Sequence, residues 1–78
     1  MTYLERIEIN PKILAGKPVI KGTRIPVAII LNLLARGYTI ERIVRAYPNL
    51  TRADVRAGIR YSEVRMRREI VRPFALVR

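Results

Sequence analysis

The chain is expected to be mainly α, a three-helix body behind a short N-terminal β arm. Three observations carry that expectation. After residue 26 the apolar residues recur with helical spacing, in segments separated by Gly37 and Pro48. Before it, Arg6-Ile-Glu-Ile9 alternates with a period of two, and glycine and proline cluster as they do around short strands and turns. Finally, 78 residues make one small domain, which buries only about 60–65% of its unfolded surface and gains from a partner.

In the arm, Leu4, Ile7 and Ile9 are apolar while Glu5, Arg6 and Glu8 are not, which argues for a half-buried strand. Asn10-Pro11 ends it, and Ile13-Leu14 offers an apolar plug before Gly16. Residues 16–27 hold two of the four glycines and two of the five prolines. Val19-Ile20 reads as a strand, Lys21-Gly22 as a tight turn and Thr23 to Ile25 as the return. Pro26 suits the first helical position, where its missing N–H has no intrahelical partner to lose. Residues 3–25 thus read as an extended arm of two or three short strands, too thin to stand without a body against it.

The first helix, Val27 to Ala35, is apolar nearly all round, with Asn32 its one polar residue. A helix of that kind is covered on more than one face. A chain this small covers part of it, which points the remainder, with Ile29, Ile30 and Leu33 as candidates, to a homodimer interface. Arg36 complements the carboxyl end of the helix and Gly37 fits the left-handed position that ends it. Thr39 caps a second helix, whose Ile40, Ile43, Val44 and Tyr47 form one apolar stripe, with Glu41 in its first turn and Arg42 and Arg45 facing outward. Pro48 stops it. Thr51 caps the third helix with Asp54 three residues on, a capping-box variant.

That third helix is expected from Arg52 to about Ile70, with Val55, Ile59, Met66 and Ile70 on one face and Arg52, Arg56 and Arg60 on another. Gly58 is out of place there, costing about 1 kcal/mol against alanine; a close approach by another backbone would account for it, and the plainer reading is a weakly held helix. Residues 1–64 read as the arm plus helix-turn-helix domain. Residues 65–78 read as a tail, basic at first and then apolar after Pro73, of a composition that docks on something.

Charge narrows the function. Sixteen Lys and Arg stand against six Asp and Glu, a formal charge of +10, and thirteen of the bases are arginine. Arginine makes bidentate contacts to phosphate and guanine that lysine cannot copy, so polyanions are favoured partners. Two helices joined by a short turn, the second carrying arginines every four residues, is the helix-turn-helix arrangement. Arg52, Ala53 and Arg56 would then lie near base edges, with Arg42, Arg45 and Arg60 on phosphates. The plainer reading is a solvated basic face, and it applies equally to Arg65, Arg68 and Arg72. Lys17, Lys21 and Arg24 are further candidates for phosphate contact. Tyr38 and Tyr47 read as core and Tyr61 as either core or stacking platform.

The chain has no cysteine and no histidine, so disulfides, thiolate or imidazole metal ligands and the usual nucleophile–base pairs are excluded. Its acids form no pair in an apolar setting, and Lys21-Gly22-Thr23 lacks phosphate-loop spacing. No catalytic residue, metal or cofactor is expected. Without a secretory leader or an apolar run long enough for a bilayer, the chain is expected to be soluble and cytoplasmic.

Taken together, Ile9-Asn-Pro11, Gly16-Lys-Pro-Val-Ile-Lys-Gly-Thr-Arg-Ile-Pro-Val27, Gly37, Ile43, Tyr47-Pro48 and Leu50-Thr51 closely resemble the domain-of-unknown-function 433 family, over roughly residues 6 to 62. The resemblance implies a homeodomain-like helix-turn-helix body with an N-terminal β arm. It also implies an antitoxin of a type II toxin–antitoxin pair, which binds its operator and neutralises a PIN-like ribonuclease toxin. The tail lies outside the resemblance. Its chemistry suits an acidic nuclease site, with Arg68, Arg72 or Arg78 entering and Phe74, Leu76 and Val77 packing alongside. The competing expectations are a protein-interaction subunit whose basic face meets an acidic partner, and an RNA-binding module.

Overall fold

The computed structural model describes the backbone of residues 2–77 and the side chains of residues 2–68. It contains three α-helices and a three-stranded antiparallel sheet: β1 Ile7–Glu8, β2 Val19–Ile20, β3 Ile25–Pro26, α1 Val27–Ala35, α2 Ile40–Ala46 and α3 Arg52–Val77. The strands run in chain order, Ile7 opposite Ile20 and Ile20 opposite Ile25. Ile20 is thereby held between two neighbours and has no exposed surface.

The β2–β3 turn is wider than the expected two residues. Thr23 makes the difference: its N–H and its Oγ1–H both donate to the Ile20 carbonyl, and its Oγ1 accepts the Ile25 N–H. Gly22 and Arg24 take positive φ to close the loop. Pro26 consequently belongs to β3 and stands as the N-cap of α1 with extended backbone (φ −65°, ψ 141°), not in the first helical position expected of it, while the helix spans Val27–Ala35 as expected. The Val27 N–H extends the pairing by donating to the Pro18 carbonyl.

Two arm expectations are overturned. Tyr3–Arg6 is a single 3₁₀ turn, started by Glu5 N–H donating to Thr2 O, and it packs on α3 instead of continuing the strand. Leu4 and Ile9 are exposed as a result. Leu14 is no plug: Leu14, Ala15 and Gly16 all adopt positive φ, a reversal that leaves the Leu14 side chain at the surface.

The helix boundaries follow their caps. Gly37 (φ +96°) ends α1 in a Schellman arrangement, with Tyr38 N–H donating to Leu33 O and Gly37 N–H to Leu34 O. Thr39 Oγ1 accepts the Arg42 N–H at the start of α2. No glycine follows Gly58, and α3 runs past the expected end near residue 70 to Val77. Residues 64 and 65, on either side of the expected domain boundary, both lie within α3.

The core forms where the sheet, α1, α2 and the first turns of α3 meet. Val19, Ile20, Ile30, Ile43 and Val55 are its fully buried side chains, each contributing about 1.5–3 kcal/mol by leaving water. Tyr38 and Tyr47 are half-buried against it, as expected. Gly58 is buried over Val27, Ile30 and Ile20. What approaches it is these three side chains and not a second backbone. Met66 departs from the expected apolar face: it is 51% exposed, opposite only Pro18 and Leu31 across an open groove.

Candidate nucleic-acid interface

The start of α3 is held by a closed capping box. Thr51 N–H donates to Asp54 Oδ2 (3.0 Å), and Asp54 N–H donates to Thr51 Oγ1 (3.1 Å). The other Asp54 oxygen, Oδ1, accepts from Arg6 Nη1 at 3.0 Å. Asp54 is 8% exposed, the one buried charged residue among those described. A single carboxylate therefore fixes both the helix start and the arm 48 residues away.

This clamp sets which side chains of α3 face outward. Arg52, Arg56 and Arg60 are all exposed, as the four-residue spacing requires. They differ in what restrains them. Arg52 Nη1 donates to Glu41 Oε2 at 2.7 Å, bridging α2 and α3 at the surface. Arg60 lies 3.7 Å from Glu63, which is already bound in a bidentate pair by Arg67 at 2.6 and 2.9 Å. Arg56 makes no ion pair among the described residues, although its charge reaches Glu41.

The acids on this face are held ionised. Glu41 titrates below its ordinary range because its own backbone N–H is hydrogen-bonded to it and Arg52 stands beside it. Glu63 is lowered first by its hydrogen bonds from Arg67, whose guanidinium is raised in return. Both acids are exposed at the surface, so these pairs orient side chains more than they stabilise the fold.

On α2, Arg42 is exposed and its guanidinium carbon lies over the Tyr38 ring, 4.2 Å from its centroid, and Arg45 is exposed. Ala53 is half-buried and does not stand proud of the helix. With Ala57 it floors a groove of about 350 Å³, walled by Thr2, Tyr3 and Arg6 of the arm on one side and by Arg56 and Arg60 on the other. Of the candidate residues, the structure thus gathers Ala53, Arg56 and Arg60 around the groove and places Arg52 beside Glu41. Lys17, Lys21 and Arg24 are exposed on the arm.

Sequence reasoning missed Tyr3 and Arg6 as members of this surface. Neither carried a local signal, since Arg6 sat inside an alternating strand pattern and its partner is remote in the chain. One interface candidate is corrected: Ile30 has no exposed surface, being used entirely in the chain's own core, and has nothing to offer a second copy. Ile29 is 41% exposed and Leu33 half-buried. Of the expected toxin contacts, Arg68 is exposed at the side of α3. The side chains of Arg72, Phe74, Leu76, Val77 and Arg78 lie outside those the structure describes.

The fold and this face define a small, strongly basic, mainly helical domain with a β arm clamped to its long helix. The model described as "Protein of unknown function (DUF433)" matches residues 7–62, and the chain belongs to that family. A crystal structure of a DUF433 member from Anabaena variabilis superposes with a TM-score of 0.73 at 31% identity, covering 90% of this chain and 68% of that one. The uncharacterized protein y4eO of Sinorhizobium fredii is 37% identical over 59 residues, 76% of this chain. This chain spans only 27% of y4eO's length. An uncharacterized Archaeoglobus fulgidus protein is 62% identical over 24 residues, 31% of this chain and 67% of its own. No helix among the described residues is long and apolar enough to cross a membrane.

Proposed function

We propose that this chain is the antitoxin of a type II toxin–antitoxin pair, repressing its own operon as a homodimer and blocking a PIN-like ribonuclease. The observation that carries the reading is the α2–α3 unit. Two helices capped by Thr39 and by the Thr51/Asp54 box are joined through residues 47–51, and the second begins with exposed Arg52 and Arg56. These features support a homeodomain-like helix-turn-helix reading, in which the first turns of the second helix enter the major groove. Arg52 and Arg56 then face base edges, Glu41 orients Arg52, and Arg42, Arg45 and Arg60 take phosphates. The net charge of +10 supports the sequence-independent part of the binding.

The operator is tested by binding to the upstream promoter and to a scrambled duplex across a salt series. Arg52→Ala and Arg56→Ala each lower affinity for the promoter by about 1–3 kcal/mol and relax sequence preference. If the wild type binds both duplexes alike, and the two variants bring only a uniform salt-dependent loss, specific repression is wrong. The toxin contact is assigned to Arg68, Arg72, Arg78 and the apolar Phe74, Leu76 and Val77. A chain ending at Arg72 then folds and still binds DNA but no longer inhibits the nuclease. Full inhibition by that shortened chain removes Phe74, Leu76, Val77 and Arg78 from the mechanism.

A further inference from the structure

The arm side of α3 carries more than the edge of a duplex-reading helix. Tyr3 stands between two grooves. One is walled by Arg56 and Arg60. The other, about 190 Å³, is lined by Leu4, Tyr61, Val64, Arg65 and Arg68. On the arm side of α3 the two grooves meet at Tyr3, which brings Arg56 and Arg60 to one side of its ring and Tyr61, Arg65 and Arg68 to the other. Arg56 and Arg68 are about 18 Å apart along the axis of α3 at 1.5 Å rise per residue. We propose that this surface binds a single-stranded polynucleotide, its phosphates on the arginines and its unpaired bases on Tyr3 and Tyr61, in exchange with any duplex held by the α2–α3 unit, which would use the same Arg56 and Arg60.

Three observations favour an unpaired strand over other polyanions. The first is the state of the rings. Tyr38 is capped by Arg42 at 4.2 Å, whereas the guanidinium carbons of Arg60 and Arg65 lie 5.9 Å from the Tyr3 and Tyr61 centroids. That is the outer limit of cation–π attraction, so neither ring is closely covered by its arginine; each is half-buried against the core and lines a groove with the rest of its surface. The second is the small floor of Ala53 and Ala57, which leaves a groove of nucleotide size beside Tyr3. The third is charge: among the described residues Asp54 is spent on Arg6, and Glu63 is shared between Arg60 and Arg67, which leaves Arg56 without an ion pair beside Tyr3. A duplex keeps its base faces stacked on one another and cannot use the rings, whereas an unpaired strand offers a π-face at every nucleotide. An acidic peptide would use the arginines and leave the tyrosines idle.

The test compares short labelled RNA and DNA single strands with an abasic deoxyribose-phosphate strand of equal charge, a polyglutamate peptide and the promoter duplex. The wild type is expected to bind the RNA and DNA strands about tenfold more tightly than the abasic strand. Binding should also quench tyrosine emission, which is unmasked because the chain has no tryptophan. Tyr3→Leu removes that preference, Tyr3→Phe restores it, and neither changes affinity for the promoter duplex. Arg56→Gln weakens all strands and lowers the salt slope by about one. RNA and DNA arms separate the two sources of the strand, an RNA preference marking a 2′-hydroxyl contact. Equal affinity for the abasic strand, equal competition by polyglutamate, or a parallel loss of duplex binding in Tyr3→Leu overturns the proposal. The abasic comparison and the quench need no variant, so a misfolded Tyr3→Leu leaves the test intact. Failure of promoter specificity with intact base-dependent binding would remove the operator reading alone.

Discussion

Asp54 concentrates more structure than any other single side chain. Its two oxygens serve two elements, one capping α3 through Thr51 and the other holding Arg6 of the arm. Asp54→Ala removes both at once and strands the Arg6 charge, so it is expected to lower stability by about 2–4 kcal/mol in denaturant melts. Arg6→Met keeps the cap and should be markedly milder; equal losses from the two variants would mean that the cap contributes nothing. The surface acids behave differently. Glu41 and Glu63 both titrate below their ordinary value of 4.5, Glu41 through its own backbone N–H and Arg52, Glu63 through Arg67. A depressed carboxyl contributes stability that is fully present above its unfolded value and is lost as pH falls through the folded one. Any advantage of wild type over Glu63→Gln should therefore be present at neutral pH and disappear on acidification below 4.5. An advantage persisting at lower pH would show that it does not come from the ionised pair.

Among the elements, α3 is the one on which the others converge, and Gly58 marks where α1 and β2 come nearest. A Cβ at residue 58 would meet Val27 Cγ1, Ile30 Cδ1 and Ile20 Cδ1 at 3.6, 3.7 and 3.8 Å, ordinary contact distances. The site is helical, so Gly58→Ala gains helix propensity without a clash. It should raise stability by up to about 1 kcal/mol. A loss instead would mean that the packing of the core side chains tolerates no added methyl. The helices themselves were legible because their signals are local: Thr39, Gly37 and the Thr51/Asp54 pair act within a turn of the residues they cap. The arm was less so. Tyr3–Arg6 is held as a 3₁₀ turn against α3, and Arg6 meets Asp54 across 48 residues. Neither contact has a periodicity to betray it. For the same reason the exposed arginines could be read from spacing, while the groove that joins two of them to Tyr3 could not.

At the scale of the whole molecule, α1 leaves apolar surface exposed among the described residues. Ile30 is sealed in the core, yet its neighbours Ile29 and Leu31 are 41% and 36% exposed. The two lie on opposite sides of α1, Leu31 beside Pro18 and Met66; covering the Ile29 side with a second copy removes it from water and adds to a fold too small to bury much on its own. The proposed homodimer is therefore placed on the Ile29 side of α1, with half-buried Leu33 at its edge. Ile29→Asp puts a charge into that interface without entering the core, so it should yield a folded monomer with the wild-type circular dichroism spectrum. Ile30→Asp buries the charge among Ile20, Val27 and Val55 and should unfold the chain. Sedimentation of the two variants beside wild type separates the roles. A wild type that sediments as a monodisperse monomer, or an Ile29→Asp chain that remains dimeric, rules out this face as the interface. A monomeric Ile29→Asp should also bind a two-half-site operator more weakly than wild type while keeping its affinity for one half-site, because dimers owe their operator affinity to engaging both half-sites together.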